Sequence, residues 1–219
     1  MSKKTKNVKN KNMNDYLLIG VIILFTVMLL WFVSNAVKSK NNINQTKEIN
    51  PNNLSGIQTG DAPWSVEIDH LGDRLSVIGL PALQQEGTVL HIHQHLDIFI
   101  DGKNVSVPPG IGINGRAMFI SPIHTHENDA IIHVESPTAQ EFTLGQFFDI
   151  WGVRFTDQCI GGYCIQGDKT LKVFVNGNLF NGDPREMVLQ QHQEIVVTYG
   201  TSKELIDPIP STHVFPPGD

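Results

Sequence analysis

Histidine recurs at every second position of His91-Ile92-His93-Gln94-His95. On an extended strand alternate side chains share a face, so the three imidazoles stand together on one side. Leu90, Ile92, Leu96, Ile98 and Ile100 take the other side, with Gln94 as the polar exception. This pattern predicts a strand over 89–100 that ends at the turn signal Asp101-Gly102, with Val105-Ser106-Val107 returning antiparallel beside it. A core needs the apolar face of such a strand. It has no need of a histidine row opposite.

Six of the nine histidines fall between residues 89 and 135. The later three belong to a second β-rich region, in which 117–126 and 131–135 read as a hairpin around Glu127-Asn128-Asp129-Ala130. Asn128 and Asp129 at the tip make 126 face 131 and 124 face 133. His124 and His133 are then directly opposed, with Cβ atoms about 4.5–5.5 Å apart. His126 lies two residues along the face of His124. Glu127 and Asp129 are expected to be turn residues.

Two same-face histidine groups on separate strands point to a metal site, because neutral imidazole is a common ligand for Zn and Cu(II). The candidate ligands are His91, His93, His95, His124, His126 and His133. The Cα atoms of His91 and His95 are roughly 13 Å apart on a strand. One tetrahedral ion with bonds of about 2.0–2.1 Å does not gather both. His93 therefore pairs with either His91 or His95, and the hairpin supplies the remaining ligands, for one ion or two. The third histidine of the row orients the site, binds a second ion or lines the approach. Asp97 and Glu135 continue the two faces as partners of the imidazole N–H groups, as direct ligands, or as solvent-facing charges. His70 is expected at the surface or in packing and His192 exposed to solvent, while His213, in an extended proline-rich tail, is a poor ligand candidate. From residue 51 onward the chain holds only Met118 and Met187, which argues against a thioether-rich Cu(I) store.

Residues 16–33 read YLLIGVIILFTVMLLWFV, uncharged and about the 20 residues that a bilayer core requires. Five lysines precede the run, and Tyr16 and Trp31 sit near its ends, which predicts a cytoplasmic N-terminus and an exported body. Ser34-Asn35-Ala36 resembles a cleavage site, but the run exceeds the 7–15 residues of a signal-peptide core, so an uncleaved anchor is expected. The organisation read from this is a cytoplasmic basic tail (1–15), a transmembrane signal anchor (16–37), a flexible polar linker (38–62) and an extracytoplasmic domain (63–219). From residue 51 onward there are 8 Lys+Arg against 20 Asp+Glu, a net −12 that argues against nucleic-acid binding. Asn44, Asn53 and Asn104 head Asn-x-Ser/Thr triplets.

Cys159 and Cys164 are expected to form a local disulfide in an oxidising compartment, with thiolate ligation or a redox dithiol as the alternatives. Ile68, Leu71, Leu75 and Ile78 follow helical spacing up to Gly79 and Pro81. Thr143-Leu144-Gly145-Gln146 reads as a capping box ahead of an apolar stripe of Leu144, Phe147, Phe148 and Trp151. Strands follow at 171–175, before the turn signal Asn176-Gly177, and at 195–199. The fold class is a β-rich α+β single domain, an antiparallel sheet with one or two packed helices, behind an N-terminal transmembrane helix.

HIHQHLDIFIDG, HTHEND, IIHVES and FTLGQFFDIWG together resemble an uncharacterised group of exported or membrane-anchored prokaryotic proteins, over roughly residues 87–200. That resemblance brings no established activity. An HExxH motif, the H-x-H-x-D-H run, a nucleophile elbow and a phosphate loop are all missing. Three functional classes fit the ligands: a Zn or Cu(II) protein of metal handling, a metalloenzyme, and an interaction module with a structural metal. In the enzyme, three histidines would hold an activated water or a redox copper, and Asp97 or Glu135 would shuttle protons.

Overall fold

The alternating run forms β1 (Leu90–Ile100), whose even-numbered residues Leu96, Ile98 and Ile100 are buried in the core. A computed structural model describes residues 49–217, together with the isolated helical positions 24, 26 and 28. Apart from those three positions, the expected basic tail, the membrane anchor and the linker up to residue 48 lie outside the described residues. Among the described residues no helix is long and apolar enough to cross a membrane.

Asp101 and Gly102 turn with φ of 50° and 74°, and β2 (Lys103–Val105) returns along β1 with Ile98 opposite Val105. The run expected over 117–126 divides in two. β3 (Ile113–Asn114) and β4 (Phe119–Ile120) make a separate ribbon, and only β5 (Ile123–His124) joins the main sheet. Pro122 lies at the break, where its missing N–H cannot support a continuous ladder. β6 (Ile131–Ser136) pairs with β5 in the expected register, His124 opposite His133.

After the ribbon β7 (Cys159–Ile160) and β8 (Tyr163–Cys164), β9 (Thr170–Val175) turns through Asn176 and Gly177 into β10 (Asn178–Leu179). The Cys159–Cys164 disulfide closes the first of these hairpins. β11 (Gln193–Gly200) is buried at all eight positions. The main sheet runs β10-β9-β11-β1-β6-β5, with β2 also on β1.

The sheet is mixed, which corrects the expected antiparallel one: β11 runs parallel to β1, with Leu96 opposite Ile195. Parallel neighbours need a crossover of a dozen or more residues. The chain between β1 and β11 supplies it and builds most of the domain on the way. A strand covered on both faces reads as a continuous apolar run, and Ile195-Val196-Val197 has that character.

Two helices share the core beneath the sheet. α1 (Leu71–Ile78) ends at Gly79, in the left-handed conformation with φ 73°. α2 (Leu144–Trp151) starts with the expected capping box, Gln146 N donating to Thr143 Oγ1 at 3.3 Å and Thr143 N to Gln146 Oε1 at 3.0 Å. Its Phe147, Phe148 and Trp151 share one core with Leu96, Ile98, Val134, Ile195 and Val197.

Part of the expected linker belongs to this body. Pro51 and Leu54 are buried, and Gln58 bonds to the chain at 152–154 through Gln58 N to Gly152 O and Arg154 N to Gln58 O. Arg74, fully buried, ties the segment down. Its guanidinium donates to Ser55 O at 3.1 Å and Ile150 O at 3.0 Å and pairs with the Glu67 carboxylate. Glu67 keeps some solvent contact, so the loss on breaking this pair falls at the low end for buried ion pairs. Arg74→Met is expected to lower the unfolding free energy by about 3 kcal/mol in denaturant titration, and an unchanged midpoint would contradict this role.

Candidate metal centre

Strand register builds the site. β1 and β6 place His93 opposite His133 and His91 opposite Glu135, while β5 places His124 opposite the same His133. His124, His133 and His93 thus form one row across three neighbouring strands, on the sheet face away from Leu96 and Ile98. Ring centroids are 5.6 Å apart for His124 and His133 and 4.6 Å apart for His93 and His133. His126 closes on the row at 4.6 Å from His124 and 4.7 Å from His133.

Ring nitrogens meet in pairs. His124 Nε2 and His126 Nε2 are 3.0 Å apart, and His91 Nε2 and His93 Nε2 are 3.1 Å apart. Two imidazole lone pairs repel at that distance, so each contact calls for a shared proton or a shared cation. Glu135 lies among them, 6% exposed, with Oε1 at 3.3 Å from His91 Nε2, 3.5 Å from His133 Nδ1 and 3.9 Å from His124 Nε2.

Two overlapping donor sets result. His124, His126, His133 and Glu135 form one, and His91, His93 and Glu135 the other; within each, the ligand atoms lie within 4.8 Å of one another. Bonds of about 2.0–2.2 Å in a tetrahedral shell separate ligand atoms by about 3.3–3.5 Å. Either set fits an ion with small side-chain movement, and Glu135 Oε1 belongs to both.

His124 shows how the protein prepares one ligand. It is fully buried, and its Nδ1 donates to Ser121 O at 2.9 Å, which leaves the lone pair on Nε2 facing the cluster. Burial, and then the neighbouring His126, push its pKa down to about 3. At the rim, Glu86 Oε1 sits 3.3 Å from His126 Nε2. Gly87 allows this approach, because a Cβ there would stand 2.0 Å from the Ser136 carbonyl carbon. Sequence reading passed over Glu86.

His95 departs from the other five. Its register partner is Glu194 on β11, and its Nδ1 is 2.8 Å from Glu194 Oε2. Burial lowers the His95 pKa, but the Glu194 carboxylate outweighs burial and the net shift is upward. The His213 ring stacks on His95 at 3.8 Å, so the tail histidine expected to stand apart joins this group instead. Asp97 also stands with His95 and Glu194 rather than with the Glu135 cluster, and burial raises its pKa. His70 bonds to Glu67, and His192 is exposed with its ring 4.7 Å from that of Phe215. Glu194 was the other omission. Its one sequence signal is a carboxylate directly ahead of the apolar run Ile195-Val196-Val197.

A depressed pKa has a defined sign here. Below the ordinary value of 6.5 the unfolded chain protonates His124 and the folded chain does not, so stability falls as pH drops from about 6.5 towards 3. In ¹⁵N NMR of the metal-free protein, His124 is expected to stay neutral and Nδ1-protonated from pH 7 to about 4. Titration of that ring near its ordinary value would contradict the assignment. No family model, curated protein sequence or solved structure matches this chain.

Proposed function

We propose that this chain is a membrane-anchored, extracytoplasmic protein of metal handling that binds Zn or Cu(II) in the Glu135 cluster. The observation that carries the proposal is the convergence of five imidazoles on one buried carboxylate. Isolated surface histidines have no reason to align across three strands. Glu135 Oε1 lies 3.3 Å from His91 Nε2, 3.5 Å from His133 Nδ1 and 3.9 Å from His124 Nε2, a mixed nitrogen and carboxylate donor set that suits a divalent cation.

All-imidazole and carboxylate donors suit Zn and Cu(II), and an oxidising compartment agrees with the Cys159–Cys164 disulfide. The apolar run at 16–33, with lysines before it, supports the anchor and the exported orientation. A net −12 from residue 51 onward attracts cations and repels nucleic acid.

The side chain of His91 is 52% exposed, so the His91–His93 flank is open to water. This supports a second reading, a metalloenzyme whose ion there carries an exchangeable water. The two readings share their ligands and differ in what the open flank does.

The test is equilibrium binding of Zn(II) and Cu(II) by the purified full-length chain, with elemental analysis of the bound fraction. At least one stoichiometric ion with sub-micromolar Kd is expected. His133→Ala, which removes the residue facing both His93 and His124, is expected to weaken that ion at least 100-fold. Glu135→Gln, which keeps the shape and removes the charge, is expected to weaken it 10- to 100-fold. No binding at micromolar metal, or unchanged affinity in His133→Ala, would overturn the proposal.

A further inference from the structure

We propose that His95, Glu194 and His213 form a second transition-metal site, separate from the Glu135 cluster, whose ion fastens the C-terminal segment to the sheet. Their ligand atoms lie within 4.8 Å of one another. Two of the three residues stand on adjacent parallel strands in direct register, His95 on β1 and Glu194 on β11. The third arrives from the tail, which has no helix or strand after Gly200 among the described residues.

Glu194 marks the place as built for a cation. It is 1% exposed; Oε2 meets His95 Nδ1 at 2.8 Å, and Oε1 makes no hydrogen bond. A buried carboxylate oxygen without a donor is costly, and a divalent ion is a partner of the right charge. The Asp97 carboxyl, two residues along the face from His95, also stands beside Glu194, and burial raises its pKa.

The tail is held through rings: His213 stacks on His95 at 3.8 Å, and Phe215 lies 5.0 Å from His213 and 4.7 Å from His192. Contacts of this kind give modest attachment. Coordination through His213 would convert them into a fixed clasp.

The donor set selects the class of ion. Two imidazoles and one carboxylate suit Zn(II), Fe(II), Ni(II) or Cu(II) and leave positions open for water. The site is also distinct from its neighbour. His95 stands two residues beyond His93, about 6.6 Å along the strand, and its register partner lies on the opposite side of β1 from Glu135.

The experiment uses the full-length chain at saturating micromolar Zn(II), with the wild type, His213→Ala and His133→Ala compared. Bound zinc is counted by elemental analysis, and amide hydrogen exchange is followed over residues 211–215. The wild type is expected to bind one more zinc per chain than His213→Ala. Zinc is expected to slow exchange over 211–215 at least tenfold in the wild type and in His133→Ala, and to leave it unchanged in His213→Ala. His213 lies in the tail, so its replacement leaves the sheet and helices in place. An equal zinc count in the wild type and His213→Ala overturns the proposal and leaves only a His95–Glu194 ion pair with a packed tail. Exchange over 211–215 that ignores zinc in the wild type overturns it too. His133→Ala reports on the Glu135 cluster in the same experiment, so failure of one site is distinguished from failure of the other.

Discussion

The pairing register of β1, β6 and β5 is the constraint on which everything else depends. Side chains alternate between faces, so a slip of one residue in β1 would carry Leu96, Ile98 and Ile100 out of the core and drive imidazoles into it. Burial of those apolar side chains against α2 therefore fixes the register, at about 1.5–3 kcal/mol per fully buried residue. That register in turn sets His93 opposite His133 and His133 opposite His124. The core pays no attention to histidine, yet its packing positions each one.

Once the rings are in place, electrostatics decides what they can do. Protonating His124 would place a charge in a buried site beside His126, so that ring stays neutral, and its bond to Ser121 O turns the lone pair of Nε2 to the cluster. Glu135 supplies negative charge at the point where the rings meet. Nitrogen donors around a carboxylate form a surface that suits a divalent cation.

Local chemistry was legible in the chain. The turn Asn128-Asp129 set the partner of His124, Thr143 and Gln146 announced α2, Asn176-Gly177 placed the β9–β10 turn, and the histidine row gave the strand and its faces. What escaped depends on contacts between distant segments. Nothing near His95 indicates that β11 will lie parallel beside it, so Glu194 stayed out of view until the sheet order was known. His213 sits among prolines in a tail whose described residues are neither helix nor strand, and its place beside His95 and Glu194 shows only in the fold. Residues 49–62 read as linker by composition, because Pro51, Leu54 and Gln58 act through partners far along the chain.

Anomalous diffraction from crystals of the protein equilibrated with Zn(II) tests the central claim most directly. A peak is predicted on the imidazole face of the sheet, about 2.0–2.2 Å from Glu135 Oε1 and from ring nitrogens of at least two of His91, His93, His124, His126 and His133. Zinc confined to exposed carboxylates, with the space beside Glu135 showing no anomalous density, would contradict the account.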